Sequence, residues 1–159
     1  MPSETAPASI VVVDDAPANL ILLANILEEA GYEVRVANSG QRALTLIERQ
    51  PPDLVLLDVN LPDQNGYEVC RELKMKEALR RVPVIFLSAD DDPAAKARAL
   101  EAGGDEYLVK PFDATEVLAR IALQLRLARA LLANEQLRAE VAEWKRRALG
   151  RSDPQQRGG

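Results

Sequence analysis

The chain has 159 residues, 47% of them hydrophobic and 28% charged, which fits one globular domain with an appendage. It contains no histidine and a single cysteine, Cys70, which excludes an intramolecular disulfide, histidine acid–base chemistry and His/Cys metal sites, so that any metal must be held by oxygen. The net charge of −5 is uneven: residues 1–119 carry −10 and residues 120–159 carry +5, a change of character near Arg120.

Residues 1–9 are small, polar and proline-containing and read as a flexible leader. Met1-Pro2-Ser3-Glu4 lacks the basic and apolar regions of a signal peptide, and no stretch approaches the roughly 20 apolar residues of a membrane span. A cytoplasmic chain with no membrane contact is expected.

Ile10-Val11-Val12-Val13 is β-branched throughout and ends in Asp14-Asp15, the pattern of a buried strand delivering two carboxylates to a loop. Pro17 suits the first turn of a helix, in which Leu20, Leu23, Ile26, Leu27 and Ala30 recur until Gly31. Residues 33–37 alternate as an outer strand, and Ser39 can cap a helix carrying Ala43, Leu44 and Ile47 before Pro51-Pro52. Asp53 to Asp58 is a short aliphatic run ending in a carboxylate, as suits a strand covered on both faces. Turn-formers from Val59 to Gly66 follow, then a helix with Val69, Leu73 and Met75, where Cys70 reads as a packing residue. A fourth apolar run, residues 82–88, ends in Ser88, and Pro93 opens a helix with Ala97, Leu100 and Ala102 that closes at Gly103-Gly104. Residues 105–110 form a fifth strand ending in Lys110, after which Asp113 and Glu116 make a capping box. Strand–helix units in series predict an α/β fold, a doubly wound parallel sheet with right-handed crossovers.

In such sheets ligands bind at the carboxyl ends of the strands. Asp14, Asp15, Asp58, Ser88 and Lys110 all fall there. Three carboxylates in one crevice repel and call for a hard divalent cation such as Mg²⁺. A Mg²⁺ site that also holds a hydroxyl and a lysine can neutralise a phosphoryl group, leaving a carboxylate oxygen as nucleophile.

Asp14-Asp15, Leu57-Asp58-Val59-Asn60-Leu61-Pro62, Ser88, Gly103-Gly104-Asp105-Glu106-Tyr107 and Lys110-Pro111 together resemble the receiver (CheY-like) domain of two-component response regulators, over residues 10 to about 125. The resemblance implies a flavodoxin-like (βα)5 sheet of strand order 2-1-3-4-5. It implies that Asp58 accepts a phosphoryl group from a sensor histidine kinase or histidine phosphotransfer protein. Asp15, Asp58 and the backbone carbonyl of Asn60 would ligate Mg²⁺, and Asp14 would act through water. Lys110 would pair with phosphoryl oxygens across a cis Lys110-Pro111 bond, while Ser88 and Tyr107 take the two switch positions. Ala89 leaves the site open, and Asn60 and Asp90 occupy positions that resemble those tuning the lifetime of the phosphoryl group. Such a chain is a signalling switch and not an enzyme acting on other substrates.

From Asp113 to Leu149 there is neither proline nor glycine, allowing one helix of about 37 residues, roughly 55 Å long. Val117, Leu118, Ile121 and Leu125 would pack on the sheet. Leu123, Leu127, Ala130, Asn134, Leu137, Val141, Trp144 and Ala148 then keep a 4-3 rhythm, which predicts a left-handed coiled coil and a homodimer made parallel and in register by Asn134. The expected organisation is a receiver domain over residues 10–122, a helical extension over 123–149 and a disordered tail over 150–159. Lys145-Arg146-Arg147 is read as a solvated helix face, because no base-contacting module accompanies it; direct nucleic-acid binding is not expected.

Two readings from other classes stand beside this one. An aspartyl phosphatase of the haloacid dehalogenase type would place Asp-x-Asp after the first strand, where this chain has an adjacent pair. A flavodoxin-like FMN carrier would need a carboxylate-poor loop there, which Asp14-Asp15 contradicts.

Overall fold

The computed structural model describes residues 6–158. Five parallel strands lie in the order β2-β1-β3-β4-β5: β1 (Ser9–Val13), β2 (Glu33–Ala37), β3 (Leu54–Asp58), β4 (Val84–Ser88) and β5 (Glu106–Val109). The helices between and after them are α1 (Pro17–Glu29), α2 (Gly40–Arg49), α3 (Gly66–Met75), α4 (Pro93–Glu101) and α5 (Ala114–Gly158). This is the CheY-like, flavodoxin-like topology, a doubly wound α/β fold.

Alternation along the buried strands divides the core between the two faces of the sheet. Val11, Val13, Val55, Leu57, Val84 and Phe86 face α2, α3 and α4, which contribute Ala43, Ile47, Val69, Cys70, Leu73 and Ala99. Ile10, Val12, Leu54, Leu56, Ile85 and Leu87 face the other way, against Leu23 and Leu27 of α1 and Val117, Ile121 and Leu125 of α5. Cys70 is fully buried among apolar groups, which pushes its thiol up to about 11.

The strand register builds the carboxyl edge of the sheet. Val13 pairs with both Ala37 and Leu57, Asp58 with Leu87, and Ser88 with Val109. Strands of nearly equal length in this register end together, so the residues just beyond them share one edge.

Several sequence expectations need correction. The leader is shorter than residues 1–9: Ala8 is buried, its carbonyl accepts the Glu33 N–H at 2.9 Å, and Ser9 already belongs to β1. Residues 1–5 and Gly159 lie outside the described residues, and the backbone of α5 runs on to Gly158, through the tail expected to be disordered over 150–159. The inward residues are Ala95 and Ala99 of α4 and Ala102 at its carboxyl cap, while Ala97 and Leu100 face solvent, Leu100 at 66% exposure. The i, i+4, i+7 spacing also fits this set; leucine outweighed the small alanines that bring α4 close to the sheet. Met75 is 83% exposed at the last turn of α3, where the helix leaves the core.

The chain divides into two units, Met1–Leu125 and Arg126–Gly159. In the first, α5 starts with the Glu116 N–H donating to Asp113 Oδ1 at 2.7 Å. Gln124 is buried there and donates to Glu106 Oε2 at 2.9 Å, and Leu125 still packs on the core, so this unit runs a few residues past the expected boundary at 122. The second unit is helical, and Leu127, Leu137, Val141 and Trp144 of the expected seam are 44–68% exposed. Among the described residues no helix is long and apolar enough to cross a membrane.

The facing of α4 is open to test by urea unfolding. Leu100→Ala should change stability by less than about 0.5 kcal/mol, whereas Ala99→Leu should cost about 1–3 kcal/mol by overpacking the sheet face.

Candidate functional site

Each strand on the central edge delivers one or two groups. Asp14 follows β1 and is fully buried, yet its carboxylate is well supplied with donors. The Ala16 N–H donates to Oδ1 at 2.9 Å, and Asn19 Nδ2, from the first turn of α1, donates to Oδ2 at 3.1 Å. Asp58 closes β3 and is buried; its Oδ1 accepts the Asn60 N–H at 3.0 Å. Lys110 follows β5 and places Nζ 3.3 Å from Asp14 Oδ2 and 3.2 Å from Asp58 Oδ2. The Lys110–Pro111 peptide bond is cis. Asp15 is exposed, but a carboxylate oxygen from each of Asp14, Asp15 and Asp58 lies within 4.8 Å of the others.

Three carboxylates gather around one ammonium that pairs with two of them, Asp14 and Asp58, so the cluster is electronegative. Asp58 feels this most: burial raises its carboxyl above the ordinary 3.8, the Asn60 N–H opposes the shift, the Asp14 charge adds to it, and Lys110 offsets part. An all-oxygen donor set of net negative charge, one member open to solvent, suits a hard divalent cation.

Ser88 closes β4, is buried, and its Oγ accepts the Asp90 N–H at 3.1 Å, which leaves its hydroxyl hydrogen free to donate. Asp90 also ties in Tyr107, whose hydroxyl donates to the Asp90 carbonyl at 2.7 Å. The loop after β4 therefore joins Ser88 to Tyr107 on the neighbouring strand. Tyr107 is half-buried, and Ala89 is exposed beside the site, as expected for an open crevice.

Two supporting residues, Asn19 and Gly66, escape sequence reading, and so does the backbone role of Asp90, a position the resemblance marks only for the lifetime of the phosphoryl group. Asn19 orients Asp14 from a turn where asparagine is ordinary. Asp90 acts through its backbone, which carries no residue signature. Gly66 opens α3 directly against β3: a Cβ there would stand 2.4 Å from the Asp58 carbonyl oxygen, and its N–H donates to Val59 O at 2.7 Å. Only glycine permits that approach, and a glycine after asparagine otherwise reads simply as a turn.

A parallel sheet in 2-1-3-4-5 order with an acidic cluster and a lysine on its carboxyl edge defines a class, and the comparisons name it. The model of the response regulator receiver domain matches residues 10–122, and the chain belongs to that family. The alkaline phosphatase synthesis transcriptional regulatory protein PhoP of Bacillus subtilis (strain 168) is 38% identical over 136 residues, 86% of this chain and 53% of that protein. The chain thus spans about half the length of that curated relative. Among solved structures, the receiver domain of a sensor histidine kinase from Pseudomonas aeruginosa PAO1, with a magnesium ion coordinated in its active-site cleft, is 34% identical. Its TM-score is 0.71, over 76% of this chain and 98% of that one. Chemotaxis protein CheY4 of Vibrio cholerae is 29% identical with a TM-score of 0.71, over 74% and 98% of the two chains. Membership favours the receiver reading over the phosphatase and the FMN carrier.

Because the folded state raises Asp58's proton affinity, the stability this group contributes is present at and below its ordinary 3.8. It is lost as pH rises through the raised value. At neutral pH in EDTA, Asp58→Asn should therefore melt higher than the wild type, by on the order of 1 kcal/mol. The difference should shrink as pH falls toward 4, which thermal melts across that range will show.

Proposed function

We propose that Asp58 is the phosphoacceptor of a two-component switch, and the observation that carries this reading is Lys110 Nζ lying within 3.3 Å of both Asp14 and Asp58. A carboxylate oxygen of Asp58 attacks the phosphorus of a phosphohistidine on a sensor histidine kinase or histidine phosphotransfer protein. The new P–O bond forms as the P–N bond breaks, and the imidazole nitrogen keeps the electron pair. Asp15, Asp58 and the backbone carbonyl of Asn60 would hold Mg²⁺, with Asp14 acting through water; bound there, Mg²⁺ supplies positive charge that neutralises the phosphoryl oxygens. Lys110 adds its ammonium to the same oxygens. Ser88 offers its hydroxyl hydrogen, and because Asp90 joins it to Tyr107, a movement at the site reaches the outer strand. Turnover of other substrates forms no part of this reading: the chain catalyses only the gain and loss of its own phosphoryl group.

The receiver match covers residues 10–122, and we assign the output to the helical extension that follows. Leu123, Leu127, Asn134, Leu137, Val141 and Trp144 keep heptad spacing, and a row of exposed apolar side chains on one helix is what a second copy would cover. Arg146 and Arg147 both pair with Glu143, which supports a solvated helix face over a nucleic-acid surface. Such a homodimer would carry the state of Asp58 to a partner or to a further domain, in the cytoplasm where its kinase acts.

Sedimentation equilibrium with Mg²⁺, before and after beryllofluoride, tests the coupling. A shift from monomer to dimer that Asp58→Asn abolishes is the expected result, and a monomer in both states would remove the coiled coil from the mechanism. Acetyl phosphate with Mg²⁺ should label the wild type with one phosphoryl group and leave Asp58→Asn unlabelled; labelling of the variant would place the acceptor elsewhere.

A further inference from the structure

The loop from Val59 to Asn65, between β3 and α3, carries Asn60. Its base is closed by its own chain: the Asn60 N–H donates to Asp58 Oδ1, Asn60 and Asn65 form an antiparallel bridge, and the Gly66 N–H donates to Val59 O. Its tip is held from outside. Asp63 Oδ1 accepts the N–H of Gly40 and Oδ2 accepts the N–H of Gln41, both at 2.9 Å, across 23 and 22 residues of sequence. The two donors open α2, where the helix dipole also favours a carboxylate.

The helix itself already has a local cap. Ser39 Oγ accepts the Arg42 N–H at 3.2 Å, and the Ser39 carbonyl accepts the Ala43 N–H at 3.0 Å. Of the two N–H groups that Asp63 takes up, that of Gln41 is exposed, where water could serve it, and that of Gly40 is part-buried. With the local cap already in place, Asp63 is a tie between the loop and the helix. Close packing points the same way: a Cβ at Gly40 would stand 2.7 Å from the Gln64 side chain, so the loop is pressed against the start of α2. The Gln41 and Gly40 N–H groups hold Asp63's carboxyl below the usual range.

We propose that Asp63 is a positioning residue for the metal: by pinning the loop tip to the amino end of α2, it keeps the Asn60 segment in register with Asp58. This rests on the reading of Asp58 as a Mg²⁺ ligand, and it assigns a role to a residue that touches neither metal nor phosphoryl group. Outer contacts of this kind set the geometry of metal sites.

The test uses the full chain and Mg²⁺ alone as probe, by calorimetry, with amide hydrogen exchange and urea unfolding alongside. Asp63→Ala should weaken Mg²⁺ binding roughly tenfold and speed exchange across residues 60–65. Asp63→Asn, which keeps one acceptor, should fall between it and the wild type. Ser39→Ala is the control, because it strips the same helix end of its local cap without touching the loop; it should lower the urea midpoint yet leave Mg²⁺ affinity within about twofold. Equal Mg²⁺ affinity in Asp63→Ala and the wild type overturns this proposal alone. So does a loss in Ser39→Ala as large as that in Asp63→Ala. A wild type that binds no Mg²⁺ overturns the metal reading of the site, and this proposal with it.

Discussion

The contact of Lys110 with Asp14 and Asp58 is the constraint around which this domain is arranged. Two buried carboxylates repel, and burying either one unpaired would cost several kcal/mol, roughly. The ammonium meets both at 3.2–3.3 Å from the far side of β4, which requires β1, β3 and β5 to end level with one another. The register delivers that alignment, and the register in turn rests on the apolar alternation of the strands. The amino end of the sheet is fixed separately, by Asp53 and Ser9 exchanging hydrogen bonds of 2.7 Å. An edge so assembled is unfavourable in one respect: burial and the Asp14 charge hold the Asp58 carboxyl above the ordinary range, and the Asn60 N–H and Lys110 offset only part of this. That residual cost makes the site receptive to a cation, in keeping with the general conflict between stability and function in strained sites.

How much of this was legible in the sequence depends on the range of the interaction concerned. Ile10–Val13, Leu54–Leu57 and Val84–Leu87 are aliphatic runs broken by polar residues, and a buried strand has few other ways to be written. Asp14, Asp58, Ser88 and Lys110 were visible because chain order alone puts them at strand ends. Asp63 was not, since its donors lie 22 and 23 residues away and belong to the backbone. Gly66 resembles any turn glycine in sequence, and only the fold puts the Asp58 carbonyl where its side chain would be. The facing of α4 failed for a different reason. Leucine marks a core position by its size, but here the helix lies close enough for only alanine, and Leu100 points outward. Periodicity fixed the spacing there but not the phase.

The two units of the chain also differ in what their apolar residues do. In the first, Val117, Ile121 and Leu125 are buried, and the polar Gln124 beside them is satisfied by Glu106, which also meets Arg120 at 3.4 Å. In the second, leucines recur at 127, 131, 132 and 137 with valine and tryptophan beyond, and each of these is well exposed. Scattered exposed leucines are ordinary on a protein surface, but a heptad row of them along one helix is not. The acidic first unit and basic second unit follow the same division, since the carboxylate-rich edge belongs to one and the cationic helix to the other.

On the proposed reading, a phosphoryl group can shift the conformation only through contacts that differ between the two states. Asp14 is poorly placed to supply them, because Ala16, Asn19 and Lys110 already occupy its oxygens. Gly66 cannot yield without β3 yielding too. Ser88 and Lys110 remain: the hydroxyl has an unused hydrogen, and the ammonium can exchange a carboxylate for a phosphoryl oxygen at little cost. Of these two, Ser88 has the better lever. Its oxygen holds the Asp90 N–H and the Asp90 carbonyl holds Tyr107, so a hydroxyl drawn toward the phosphoryl group pulls on a connected path of two hydrogen bonds. Lys110 is linked back to Asp14 and would transmit its change inward. The outer side of β5, and not the edge at β2, is therefore where a change of state at Asp58 should first be felt.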